Sequence, residues 1–286
     1  MVAGLSISSC SDDFLNQPAY NSSDTESVFT NIETADAFVQ GLYRGLVPTE
    51  MFYQLGAGDT VTHSAEDGST NNSKYNICNY QYDAYTPNTI TGIYAAMYAV
   101  IERSNIAISR LPTMPASPKR DALLAEAKAI RAFCYYNLIR VYGDVPAIWI
   151  PLEEADPSDP STLYPKRSPR DGIYDRIIAD IQESINNLPT SNGSPERLNK
   201  QSTNALLARI ALYAAGYSLR WDLNTGAPGT MSRRPDNARV QQLYQIADAA
   251  AASVINGGTN SLVQAQGGKS GFEALWFNFD RRNLRL

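Results

Sequence analysis

The stretch DALLAEAKAIRAFCYYNLIRVY (residues 121–142), closed by GDVP (143–146), sets Leu123, Ala127, Ile130, Cys134, Leu138 and Val141 at spacings of three and four. That is the period of one face of an α-helix, and Gly143 is the expected stop. The same signature recurs on both sides. Residues 34–47 place Phe38, Leu42 and Leu46 on one stripe before Pro48, and residues 91–111 carry Tyr94, Tyr98, Ile101 and Ile108 inward before Pro112. Ser168, Pro169 and Asp171 read as an N-cap, a first-turn proline and a first-turn acid. That helix runs through Ile173, Ile177, Ile181, Ile185 and Leu188 to Pro189. Residues 199–215, with Gly216 as C-cap, and 237–255, closed by Gly257 and Gly258, complete the series.

The most apolar of these helices are rich in alanine, with Ala125, Ala129 and Ala132 in one and Ala208, Ala211 and Ala215 in another. Small side chains let helix axes approach closely, as stacked hairpins require. The connection from Pro112 to Pro118 is short enough to make its two helices antiparallel neighbours, and 190–198 joins a second pair. The expected class is therefore mostly α, an array of helical hairpins without a strict repeat consensus. Strand signals are sparse, the clearest at 274–279, and long irregular segments are expected at 51–88, 143–167, 218–236 and 257–271.

Composition narrows function by exclusion. The 286 residues include 24 Lys+Arg against 29 Asp+Glu, a formal net charge of −5. With neither a basic field nor a Lys/Arg run, no nucleic-acid partner is expected. The longest apolar stretch, 145–152, is interrupted by Pro146 and Pro151 and is too short to span a bilayer. His63 is the single histidine, so no metal centre, Ser/His/Asp set or cofactor is expected. Gly268, Lys269 and Ser270 end like a phosphate loop, but Val263 stands where its first glycine belongs. The acidic run from Glu153 to Asp159 lacks calcium-loop spacing, and His63, Glu66 and Asp67 match no motif; both read as solvated loops. Carboxylates are plentiful, yet no pair is singled out for glycoside hydrolysis.

Two features are positive. Residues 1–10 are small and apolar and end at Cys10, ahead of Ser11, Asp12 and Asp13, like the tail of a lipoprotein signal whose cysteine is acylated. The chain accordingly divides into a residual signal over 1–10, a tether over 11–33 and a helical domain over 34–286. Cys78 and Cys134 could then form a disulfide or be two buried thiols, and the position of Cys134 on an apolar helix face favours the second. The other feature lies among the 17 tyrosines: Tyr75, Tyr80, Tyr82 and Tyr85 interleave with Asn76, Asn79, Gln81 and Asp83. Rings that stack on sugar faces, flanked by amides and carboxylates that bond hydroxyls, are what glycan binding needs. The same rings could instead pin a loop or form an edge strand. Tyr213 and Tyr217, at the end of a predicted helix, are accounted for by packing.

At EAKAIRAFCYYNL (126–138) and YGDVP (142–146) the chain resembles the SusD/RagB family of outer-membrane nutrient-binding lipoproteins. SCSDDFLNQP (9–18), SPRDGIY (168–174), IIADI (177–181) and ALLARIALY (205–213) agree with it in the family's order. The resemblance implies tetratricopeptide-like hairpins with loops packed on one side. It implies a protein without catalytic activity that captures oligosaccharides or other oligomeric nutrients at the cell surface and delivers them to a SusC-like TonB-dependent transporter. The membrane would be reached through the lipid on Cys10, with Asp12 and Asp13 marking the outer face. Arg131, Gly143 and Pro146 would be structural, Arg131 pairing or capping inside the array and 143–146 turning the chain out of it. Family members run longer, so the chain is expected to be the front part of a longer protein. Tyr94 stands ahead of the helix motif Tyr98, Ile101 and Asn105, where many relatives carry a Trp. Sugar stacking and the start of a buried helix are both open for it. The expected ligand-binding residues are Asn79, Tyr80, Tyr82, Asp83, Tyr85 and Tyr94. The alternatives are a helical-repeat interaction module without its own ligand and a glycan-cleaving enzyme.

Overall fold

The computed structural model describes residues 25–47, 89–190, 196–227, 229–257, 264, 270, 271 and 273. Its long helices are α1 (Ile32–Gly45), α2 (Thr89–Arg110), α3 (Pro118–Tyr142), α4 (Arg170–Ser184), α5 (Lys200–Ala215) and α6 (Asn237–Asn256). Polar side chains take up the orphan N–H groups at their starts. Asn31 Oδ1 accepts from the Glu33 N–H at 2.7 Å, Ser117 Oγ from Arg120 at 3.2 Å and Asp236 from Arg239 at 3.0 Å. At α5, Asn199 Oδ1 accepts from Ser202 N while Ser202 Oγ accepts from Asn199 N, each at 2.9 Å. This is a reciprocal capping box.

Each helix packs on the next in chain order, and α1 also reaches α3. The result is a tetratricopeptide-like succession of helical hairpins, the expected class. α3 lies at its centre and is buried well beyond one stripe: Ala125, Ala129, Ala132, Tyr135, Tyr136 and Ile139 are buried together with Leu123, Ala127, Ile130, Cys134 and Leu138, whereas Val141 is half-buried. Cys134 is a free, buried thiol, and burial pushes its pKa up. On α2 the buried face is Ile93, Met97, Val100, Ile101 and Ala107, continued by Leu111 in the turn after it. The expected stripe is thus rotated, with Tyr94, Tyr98 and Ile108 only partly buried at its flank. The rotation leaves the Tyr98 hydroxyl free to donate to Pro146 O at 2.6 Å.

Two of the segments expected to be irregular are ordered by short strands. β1 (Val145–Pro146) pairs antiparallel with β2 (Arg167–Ser168), and β3 (Ser218–Arg220) with β4 (Thr230–Ser232). Ladders of two or three residues contain no alternation for a sequence reading to detect. Ser168 therefore sits in β2 and does not cap α4. That N–H, on Arg170, donates instead to Asp144 Oδ1 at 2.8 Å. In the acidic run, Asp156 and Asp159 accept from Ser158 and Ser161, as a solvated loop requires. The segments 51–88 and 274–279 lie outside the described residues.

A buried polar network joins the helices. Arg131 forms an ion pair with Asp180, donates to Asn105 Oδ1 at 2.8 Å and stands 5.1 Å from the Trp149 ring. Asn105 Nδ2 donates to Ile148 O and Ile150 O at 3.1 and 3.2 Å, and the Tyr135 hydroxyl bridges both backbone groups of Ile148 at 2.7 Å. Residues 148–150 thus lie along α2 and α3 with side chains in place of a strand partner. Arg131 pairs inside the array, as expected.

Candidate functional site

α3 ends at Tyr142 and α5 at Ala215, and the chain leaves α5 through β3. These ends meet because Tyr136 of α3 packs edge-to-face on Tyr213 of α5, with centroids 5.1 Å apart at 87°. Between them opens a cleft of 340 Å³ lined by Arg140, Tyr142, Arg170, Tyr174, Tyr213, Tyr217 and Trp221. Tyr174 forms its buried side, whereas Tyr213, Tyr217 and Trp221 are 47%, 65% and 47% exposed. Across Arg170 and Trp221 lies a second lobe of 340 Å³ carrying Asp144, Arg167, Arg220, Asp222 and Asn224.

The walls are held by the turn after α3. Gly143 has φ 75°, and a Cβ there would come within 2.6 Å of Arg170 Nη2. Only glycine suits both the conformation and the approach. Arg170 Nε pairs with Asp144 at 3.0 Å, and Arg167 donates to Asp144 O at 2.7 Å and Tyr142 O at 3.2 Å. Arg220 makes a bidentate pair with Asp171 at 2.8 and 3.0 Å. A Cβ on Gly229 would lie 3.1 Å from Trp221, so glycine lets the indole rest against the β3–β4 hairpin. Burial, with Tyr213 beside it, pushes the Tyr136 phenol up to about 12, and burial raises Tyr174 as well. Both rings stay neutral at physiological pH.

Open aromatic faces beside fixed hydrogen-bonding groups suit reversible binding of a molecule with an apolar face and a polar edge. Among the described residues, no three or more His, Cys, Asp or Glu side chains stand together as metal ligands, and no helix is long and apolar enough to cross a membrane.

Of the expected site residues, Asn79, Tyr80, Tyr82, Asp83 and Tyr85 lie outside the described residues, as do Cys10, Cys78 and His63. Tyr94 is half-buried on α2, its ring 4.7 Å from Tyr98 and 5.1 Å from Tyr142. It packs within the array and is linked to the cleft through Tyr142. Tyr213, Tyr217 and Trp221 were absent from the expected set. The available signal was three aromatics at 213, 217 and 221 straddling the helix-ending Gly216, where helical packing no longer accounts for the last two.

Fold and cleft together define a helical-hairpin protein with an open aromatic site at its helix ends. The sequence model of the SusD-like family described as "starch-binding associating with outer membrane" matches residues 13–212, and the chain belongs to that family. A SusD-like protein of Formosa agariphila is 31% identical over 124 residues, covering 43% of this chain and 24% of that protein. One of Bacteroides ovatus is 23% identical over 233 residues, covering 75% and 38%. The solved structure of a SusD homologue from Bacteroides thetaiotaomicron matches with a TM-score of 0.66 at 19% identity, covering 89% of this chain and 45% of its own. A structure named as a laminarin-binding SusD-like protein matches at 0.55 and 22% identity, covering 79% and 43%. The chain thus spans less than half the length of each of these proteins.

Proposed function

We propose that the chain captures oligosaccharides at the outer face of the outer membrane and passes them to a SusC-like TonB-dependent transporter. The observation that carries this reading is the cleft at the ends of α3 and α5, where Tyr213, Tyr217 and Trp221 present open ring faces beside guanidinium donors. Rings of this kind stack on the C–H faces of sugars while donors and acceptors around them take the hydroxyls. The family's description as starch-binding and outer-membrane-associated supports it, as do relatives named for laminarin binding and for a complex with a xylogluco-oligosaccharide. Cys10, acylated, would tether the chain to the membrane. Tyr80, Tyr82 and Tyr85, with Asn79 and Asp83, would add a second aromatic surface, and Tyr94 would support Tyr142 from behind. No catalytic role is assigned.

Affinity electrophoresis across starch, laminarin, xyloglucan and acidic polysaccharides tests the proposal. Retardation by at least one glycan is expected, without release of reducing ends. Migration unchanged by every glycan overturns it. Copurification with a TonB-dependent barrel tests delivery. Cys10→Ala is expected to release the protein from the membrane fraction, and continued membrane association would overturn the anchor.

A further inference from the structure

We propose that the two-lobed cleft around Trp221 selects oligosaccharides bearing anionic groups, uronate carboxylates or sulfate esters; this rests on the carbohydrate reading above. Four arginines, Arg140, Arg167, Arg170 and Arg220, line the two lobes against two aspartates, Asp144 and Asp222. Asp144 is neutralised by Arg170, whereas Asp222 is exposed, bonds only to neutral groups and keeps its charge. Asp144 takes the Arg170 backbone and side chain at 2.8 and 3.0 Å, and Asp222 accepts from Asn224 N at 2.9 Å and Thr225 Oγ1 at 2.8 Å. The cleft is left with donors in excess.

A neutral sugar presents hydroxyls that need acceptors as well as donors, whereas carboxylate and sulfate present acceptors only. Arg170 and Arg220 are neutralised by Asp144 and Asp171. Arg140 and Arg167 have no carboxylate partner among the described residues. Nor does Arg233, whose guanidinium stands 4.7 Å from the Tyr217 ring. Arg167 is aimed by the carbonyls of Asp144 and Tyr142 and keeps Nη1 unengaged among the described residues. In a chain of net charge −5, these three guanidiniums outweigh the one unpaired carboxylate, Asp222, and leave the aromatic cleft net positive. By contrast Arg131, Arg197 and Arg234, within the array, are each matched by a carboxylate. Guanidinium forks fit carboxylate and sulfate oxygens bidentately, and ring faces beside them hold the sugar.

The test is calorimetric titration of the chain with three probes: oligogalacturonate, a sulfated carrageenan oligosaccharide and a neutral xyloglucan oligosaccharide. At least one anionic probe is expected to bind about tenfold more tightly than the neutral one at low salt, and to weaken several-fold as NaCl rises through the range where charges are screened. Arg140→Gln and Arg233→Gln, at exposed positions without carboxylate partners, are each expected to reduce anionic affinity about threefold with melting unchanged. Which anionic probe binds identifies the carboxylate or the sulfate as the group read. Equal or tighter binding of the neutral probe overturns the inference and leaves the carbohydrate reading standing. A preference untouched by both arginine variants overturns its assignment to this cleft. Binding of no glycan, in titration or electrophoresis, overturns the carbohydrate reading itself.

Discussion

Asp144 accepts three hydrogen bonds from Arg170, at Oδ1 from its backbone N–H at 2.8 Å and its side-chain Nε at 3.0 Å, and at Oδ2 from Nη2 at 3.4 Å. One carboxylate therefore caps α4 and neutralises a buried guanidinium. The pair fixes the turn after α3 to the start of α4, and Arg170 stands between the two lobes of the cleft.

Asp144→Ala leaves Arg170 buried without its counter-charge and the first turn of α4 without its acceptor. Removing one partner of a buried pair costs about 3–5 kcal/mol. Urea unfolding should show a loss of that size. Asp144→Asn, which keeps an acceptor oxygen but not the charge, should lose less. Equal stability of all three proteins would refute the structural role.

Gly143→Ala and Gly172→Ala should differ in sign. At Gly143, φ is 75° and the added Cβ meets Arg170 Nη2 at 2.6 Å, so alanine should destabilise by about 1–3 kcal/mol. Gly172 lies within α4 with nothing within 4 Å of its added Cβ. Alanine there should stabilise by about 0.5–1 kcal/mol through helix propensity. Thermal melting of the two variants side by side checks both expectations.

Acid should weaken the array through Asp36 and Asp175. Burial raises both carboxyls, but Arg197 and Lys119 around Asp36, and Arg234 and Arg239 around Asp175, outweigh it and hold them below the usual carboxylate range. A lowered folded pKa contributes stability that is complete above the unfolded value of about 3.9 and is lost as pH falls through the folded value. The melting temperature should fall below about pH 4, and more shallowly in Asp175→Asn. A pH dependence identical in wild type and variant would refute the assignment.

Tyr217→Ala removes a mostly exposed ring, so stability should stay within about 0.5 kcal/mol, whereas Trp221→Ala also loses the half of the indole that rests on the β3–β4 hairpin and should cost about 1–2 kcal/mol. Each should weaken binding of the retained glycan about tenfold, a decade being 1.4 kcal/mol and within reach of one aromatic contact. Affinity gels of both variants, run well below the melting transition of each, provide the measurement. Unaltered retardation would exclude these rings from the site.

The helices were legible because their cause is local. Residues 121–142 carry the helical period within themselves, and Pro118, Gly143 and Asn199 bound their helices through interactions with near neighbours in the chain. Which face turns inward was less legible. On α2 the apolar residues form a broad band, and contact with both α1 and α3 selected Ile93, Met97 and Val100 over the tyrosines. The cap of α4 was misread because Ser168 is adjacent in sequence, while the group that does the capping, Asp144, lies 26 residues earlier.

The helical class, the order of helices and the resemblance to one family are written in the local pattern of the chain, since periodicity and motif spacing are properties of neighbouring residues. Tertiary packing alone makes Asp180, 49 residues from Arg131, its ion-pair partner. Only that packing places Tyr142, Tyr217 and Trp221 around one cleft with Arg140 and Arg170. Both depend on which helix ends come together, and that is set by the packing of whole helices against each other, which no local period encodes.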